Sequence, residues 1–314
     1  MRRIPCTLAA AWLAILQAQA AAPTDFFAGS FSSENEGSHL PDDAEIKFRI
    51  SMMRSPVTTS YDDDVRAYLN RYLTYGLRDT EAVLGRGMVY LPTIEHHLEM
   101  NGLPSQLKFL PMVESELMPQ AESTRGAAGL WQLVPETARS LGLVVDGKLD
   151  ERKDPTRSTE AAVKYLKRLK KRYGTWELAL VAYNCGPGRL NKAIKEAGCE
   201  DYNQVKLYLP KETQLYLAKY IAASYIATYF HHHNIAPALP DLALFNAMAA
   251  RVYGAISLQK VSKITGVDLP TLRRLNPAFK SDNQSPIQNG IFLTLPKTAW
   301  EPYLNELHRA AVRP

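Results

Sequence analysis

Apolar residues recur along most of this chain with the spacing of helices that bury one face. Val65, Tyr68, Leu69, Tyr72 and Leu73 stand at i, i+3, i+4, i+7 and i+8, which puts them on one stripe of a helix. Asp62 to Asp64 precede them and suit a positive helix N-terminus. A second helix is predicted from about Thr80 through Leu84, Leu91, Ile94 and Leu98, stopping at Asn101-Gly102. Leu107, Leu110 and Leu117 then predict a short apolar helix with Glu114 and Ser115 near its end. Pro104 fits its first turn. Pro111 lies farther in and predicts a bend just before Glu114. That bend either turns the acid toward a cleft or marks a helix boundary.

Further on, Pro135 to Leu141 reads as a short helix and Val144 to Leu149 as a turn or small hairpin. Asp154-Pro155 opens a helix with Val163, Leu166, Leu169 and Tyr173 inward and six basic residues, Lys164 among them, on a solvated outer face. Trp176 to Asn184 is another helix, ended by the break Cys185-Gly-Pro-Gly188. Tyr202 to Pro210 reads as a loop leading into a long helix from Glu212 to about Tyr229, apolar on most faces and so central. His231 to His233 follow as a solvated linker, because adjacent histidines on one element cannot all face one ion.

From Leu244 the pattern changes to strand (Ala249 to Tyr253), helix from Ser257, helix from Leu269, and strand (Ile291 to Leu295). The expected organisation is a leader over 1–20, a polar linker over 21–60, a helical domain over 61–230, and a linker over 231–243. A small domain over 244–296 and a tail over 297–314 complete it. The fold class is mainly α, with a small α+β domain of strand-helix-helix-strand order at the C-terminal end.

Composition adds little to this picture except at the N-terminus. Arg2-Arg3, an apolar run from Leu8 to Leu16 and the small-residue pattern Ala18-Gln19-Ala20 read as a secretory signal. Cys6 precedes that run instead of following it, so no lipid anchor is expected. With the first twenty residues set aside, 35 basic residues face 32 acidic ones, a balance too mild to argue for nucleic acid. Export permits a disulfide, but a helix between Cys185 and Cys199 would hold them about 13 Å or more apart, so none is expected.

The candidate chemistry gathers between Leu107 and Leu133. Glu114 has Leu110, Met112, Val113 and Leu117 as neighbours, and burial among apolar groups keeps a carboxylic acid protonated near neutral pH. A glycosidic oxygen needs such a proton donor to leave. Glycosidases of this kind pair the acid with a second carboxylate, yet the nearest, Glu116, faces the other way two residues along a helix. A small-residue loop, Gly126 to Gly129, leads to Trp131-Gln132, an aromatic beside an amide with donor and acceptor capacity.

Glu114-Ser115, Gly129-Leu-Trp-Gln132, Ala182-Tyr-Asn184 and Glu212-Thr213-x-x-Tyr216 stand in this order over about Asp62 to Tyr229. Together they resemble the successive motifs of the lytic transglycosylase domain related to goose-type lysozyme, in its murein transglycosylase D type. The resemblance implies a lysozyme-like helical domain with a cleft for peptidoglycan glycan strands, in an exported, periplasmic protein associated with wall or membrane.

It further implies Glu114 as the single catalytic acid/base, and Ser115 and Gln132 orienting the acetamido group and sugar hydroxyls. Tyr183 and Asn184 would line the cleft near the reacting ring, and Tyr216 would complete its wall. Trp131 departs from the pattern, which often has Met there; it is either a sugar-stacking surface or a core residue. No metal or organic cofactor is implied.

The small domain is similar to a LysM module in its element order and its Leu275-Asn-Pro277 ending, but lacks the usual opening strand sequence and Gly-Asp turn. Glycan binding and structural packing are its two readings. The activities to be separated are non-hydrolytic cleavage, water-using muramidase action, and wall binding without turnover.

Overall fold

The computed structural model of the chain describes residues 42–312. The expected leader, and the expected linker up to residue 41, lie outside the described residues. From residue 42 that linker is not what the polarity suggested. Asp42 caps α1 (Asp43–Met52), which buries Ile46 and Ile50 in the main core together with Met53 and Val57 beyond it. Two isoleucines four apart in a charged decapeptide are a thin stripe, which is why the pattern reads as linker.

α2 (Asp63–Asn70) opens on Asp62, whose carboxylate accepts from the Val65 amide at 2.9 Å. A π-helical stretch (Arg71–Tyr75) joins it to α3 (Leu77–Met100), which ends at Asn101 and a left-handed Gly102. Next, Pro104 precedes a 3-10 turn (Ser105–Phe109) instead of entering a helix. α4 (Leu110–Ser115) begins afresh with Pro111 in its first turn, where a missing N–H costs nothing. Pro111 therefore marks a boundary and kinks nothing.

α5 (Pro135–Ser140) and a hairpin closed by the bridge from Val145 to Asp150 follow. In α6 (Pro155–Tyr173) Asp154 caps the Thr156 and Arg157 amides, and Val163, Leu166, Leu169 and Tyr173 face inward as predicted. α7 (Trp176–Cys185) and α8 (Pro187–Ala197) are separated by Gly186 at φ 85°. Cys185 and Cys199 are both free thiols.

The expected loop over 202–210 holds α9 (Tyr202–Val205) and a 3-10 turn (Lys206–Tyr208). The expected long helix is divided at Leu215 into α10 (Lys211–Gln214) and α11 (Tyr216–Tyr229), the latter buried on nearly every face. Of His231 to His233, the first two are exposed as expected, but the three do not form a linker. They continue α11 as a 3-10 turn, where His233 meets the Tyr225 hydroxyl at 3.0 Å and burial pushes its pKa down to about 4.

A short α12 (Leu242–Phe245) leads into the small domain. There β1 (Ala247–Val252) pairs antiparallel with β4 (Ile291–Pro296), and β2 (Ile256–Ser257) with β3 (Asn283–Gln284). α13 (Leu258–Thr265) and α14 (Leu269–Leu275) lie between, giving the predicted strand-helix-helix-strand order. β4 alternates as a one-sided strand should, with Ile291, Leu293 and Leu295 inward. Buried Asn276 locks the end of α14 to β4, donating to the Thr294 carbonyl at 2.9 Å and accepting from its amide at 2.7 Å. The expected tail is α15 (Trp300–Val312), whose Trp300 and Tyr303 are part of this domain's core.

The apolar interior thus falls into two clusters, one for the helical region and one for the small domain. Leu149, from the hairpin of the helical region, is buried in the second cluster.

Candidate active site

The backbone at α4 is arranged to end abruptly after Glu114. Glu116 and Leu117 are both left-handed, at φ 53° and 58°, a conformation that costs a non-glycine residue about 1–2 kcal/mol. The turn is held by the Glu116 amide donating to Met112, the Leu117 amide donating to Pro111, and Arg86 Nε donating to the Glu116 carbonyl at 2.7 Å. Leu110, Met112 and Leu117 anchor it in the core. Glu114 is left half-buried on the last turn, its carboxyl against Tyr216 of α11.

Ser115 is buried, and its hydroxyl donates to the Leu130 carbonyl at 2.8 Å. It ties α4 to the loop over 126–133 and is spent on that tie, so the expected contact with sugar is not what its hydroxyl does here. The loop is a small β-like knot in which Ala128 and Leu133 exchange backbone hydrogen bonds. Gly129 stands at φ 82°, where a Cβ would lie 1.8 Å from the Arg152 carbonyl oxygen. Gln132 is left-handed at φ 45° and half-buried. Its Nε2 donates to the Gly129 carbonyl at 3.0 Å and the Ala121 carbonyl at 3.3 Å. That fixes the amide and leaves Oε1, an acceptor, with no donor among the described residues.

Trp131 resolves to the core reading. Its ring is fully buried and Nε1 donates to Thr159 Oγ1 on α6 at 2.9 Å, so it offers no stacking face. What it contributes is its carbonyl, which accepts from the Tyr183 hydroxyl at 2.6 Å.

Tyr183 and Asn184 end α7, and Thr213 and Tyr216 face them from α10 and α11. Tyr216 donates a short hydrogen bond to Glu114 Oε1. Thr213 Oγ1 donates to Asn184 Oδ1 at 3.0 Å, which orients the Asn184 amide and leaves Nδ2 without a described acceptor. Glu114 Oε2 has no described partner either. One carboxyl oxygen is held and the other is open.

Burial pushes the Glu114 pKa up to about 7, against the Tyr216 hydrogen bond and the Lys219 charge, which pull it down; Glu212 adds to the rise. Burial, with the Glu114 charge adding to it, raises Tyr183 and Tyr216 well above the usual phenol range. Both phenols therefore stay neutral donors.

Of the residues singled out in the sequence, Glu114 meets Tyr216, Tyr183 and Ser115 bond to the Trp131 and Leu130 carbonyls on the loop that carries Gln132, and Asn184 is held by Thr213. Trp131 belongs to the core. Lys219 was not foreseen. It lies one turn beyond Tyr216 with its ammonium 5.6 Å from the centre of the Tyr68 ring. The i+3 spacing from Tyr216 was a usable signal, but its partnership with α2 was not visible. Asn184 also lines a cavity of about 270 Å³ bordered by Arg125, Arg189, Glu212 and Thr213. Among the described residues no group of three His, Cys, Asp or Glu side chains is placed to hold a metal ion.

Comparisons with known proteins fall on the same segments. A family model described as the transglycosylase SLT domain matches residues 92–206, and one described as the LysM-like domain of lytic transglycosylase MltD matches residues 249–309. The chain is similar to the membrane-bound lytic murein transglycosylase D of Escherichia coli K12, 32% identical over 223 residues, or 70% of this chain and 49% of that protein. It thus spans about half the length of that relative. It is also similar to the peptidoglycan transglycosylase gp16 of phage T7, 40% identical over 93 residues, or 29% of this chain and 7% of gp16. Among solved structures, the 70 kDa soluble lytic transglycosylase of Escherichia coli aligns with 49% of this chain and 26% of its own, at 22% identity and a TM-score of 0.39.

Proposed function

The chain carries a transglycosylase SLT domain followed by the LysM-like domain of the MltD type, and from that premise we propose that it is an exported peptidoglycan lytic transglycosylase. Its bond is the one between N-acetylmuramic acid and N-acetylglucosamine, and its cleavage uses no water. The observation that carries the reading is the Glu114 carboxyl, pushed up to about 7, held at one oxygen by Tyr216 and open at the other.

In this reading the protonated Glu114 gives its proton to the glycosidic oxygen as the bond to the muramyl C1 breaks. The carboxylate so formed takes the proton from the C6 hydroxyl of the same muramyl ring as that oxygen bonds to C1. The product is a 1,6-anhydro end and Glu114 is protonated again. Gln132 Oε1 suits an acetamido N–H, and Asn184 Nδ2 suits a carbonyl or hydroxyl oxygen, of the muramyl residue whose glycosidic bond breaks. Tyr183 and Tyr216, neutral and buried, supply hydrogen bonds without competing for the proton. Such positioned proton transfer is worth roughly 10²–10⁴-fold in rate.

Glu212 borders the adjoining cavity and is the one observation favouring water-using cleavage, since a second carboxylate could activate a water. Digestion of purified sacculi by the wild type and by Glu114→Gln, followed by mass spectrometry, tests both readings. Anhydro ends, one water lighter than reducing ends, from the wild type alone are the expected result. Reducing ends would establish hydrolysis, and no soluble fragments from either protein would leave wall binding without turnover.

A further inference from the structure

The loop that presents Gln132 is supported from behind by a buried ion pair. Arg152 Nη1 donates to the Gly126 carbonyl at 2.6 Å and the Leu133 carbonyl at 3.1 Å, the two ends of the loop. Its Nε and Nη2 form a two-pronged contact with Asp150 at 2.8 and 2.7 Å. Such a fork fixes direction as well as distance. Arg152 is nearly buried and Asp150 wholly so, so neither side chain has a hydrated alternative close in energy.

Asp150 is also where the small domain is attached. Its amide donates to the Ala278 carbonyl at 2.8 Å, and Lys280 Nζ lies 3.7 Å from its carboxylate. The Lys280 amide and ammonium donate to the Lys148 and Asp146 carbonyls, each at 2.8 Å. Gln284 donates to the Lys148 carbonyl at 3.2 Å, and Leu149 bridges to Phe279 in backbone register. The Leu149 side chain fills the small domain's core beside Leu272 and Leu293. A second contact is Arg251 of β1 with Glu160 of α6, at 3.5 Å.

The geometry points to a positioning role for the small domain: by gripping the 145–150 hairpin it holds Asp150, and through Arg152 the loop that carries Gln132, in the shape the cleft requires. Leu149, Asp150 and Arg152 are the positioning residues. The domain acts on the reaction whether or not it binds glycan itself. Only the kinetic arm of the test below rests on the transglycosylase reading.

Removing Arg152 or Asp150 would strand a buried charge and confuse positioning with unfolding, so the grip is loosened from the other side. In the full chain, Leu149→Asp puts a charge into the small domain's core, and Leu149→Met serves as the conservative control. Hydrogen exchange is followed at the Ala128 and Leu133 amides, which bond to each other's carbonyls, and at α11 as reference. We expect the two loop amides to exchange roughly tenfold faster or more in Leu149→Asp. α11 should stay unchanged, and Leu149→Met should behave as wild type. On peptidoglycan, kcat/KM should fall roughly tenfold or more in Leu149→Asp, since small misplacements of positioning groups carry large kinetic costs.

If Leu149→Asp does not fold, Lys280→Met, which removes the ammonium from Asp146 and Asp150, takes its place with the same expectations of direction. Faster exchange at Leu149 and Asp150 with the loop amides unmoved would overturn the proposal. An inactive wild type would overturn the transglycosylase reading and leave the exchange result standing.

Discussion

Two carboxyl groups of the helical region, Glu114 and Asp154, are both pushed by burial up to about 7, and they live in unlike company. Asp154 caps α6, its Oδ1 accepting from the Thr156 and Arg157 amides at 2.9 and 2.8 Å, and the residue is only 7% exposed. Glu114 is held once, by Tyr216 of another helix, and its other oxygen has no described partner. An elevated proton affinity is therefore not what separates a reactive acid from a structural one. Company and access are: Asp154 is buried against the amides of its own helix, whereas Glu114 is half-buried and meets a phenol from another helix.

The sharpest way to break the comparison is to replace each group by its amide. Glu114→Gln keeps the shape and loses the proton, and turnover of purified sacculi should fall by at least about 10²-fold. The same exchange at Asp154, where asparagine is an equally good cap, should leave turnover unchanged. Equal losses at both positions would erase the distinction.

The second effect is on stability. The folded Glu114 binds its proton more tightly than the unfolded chain does, since about 7 lies above the ordinary 4.5. Wild-type stability should therefore fall as pH rises from about 4.5 through 7, and level off beyond. Glu114→Gln has no such loss. The two proteins should melt alike near pH 4, and above pH 7 the variant should be the more stable by at most on the order of 3 kcal/mol. Thermal melts across that window check the sign.

A finer test concerns Tyr216. Its hydrogen bond pulls the Glu114 pKa down, so Tyr216→Phe should raise it further. The alkaline limb of the pH–rate profile, where the acid form is lost, should then move to higher pH. A limb that stays in place or moves down would mean that Tyr216 is only a wall. The smallest expected effect is that of Asp154→Ala, which removes the cap of α6 at a cost of about 1 kcal/mol; a denaturant midpoint measures it.

How much of this was legible beforehand depended on whether neighbours in sequence settle the matter. Helix stripes such as Val163 to Tyr173 were readable because one face meets one core. The ordered motifs singled out Glu114, Gln132, Tyr183, Asn184 and Tyr216, and of these the structure joins Tyr216 directly to Glu114. Trp131 was left undecided because its burial depends on Thr159, which no local pattern announces. The division of α10 from α11 falls at Leu215, where polar Lys211 to Gln214 give way to an apolar stretch with no proline or glycine to mark a break. Leu149 looked like a hairpin residue; that it completes the core of another domain is a tertiary fact.

Gly129 carries a consequence for how this molecule can vary. A methyl group there would collide with the carbonyl of Arg152, 1.8 Å away, in the same turn that hands the chain from the hairpin to α6. Any side chain at 129 must displace that turn. If the small domain grips the turn as proposed, a substitution that begins in the loop calls for a compensating one across the joint.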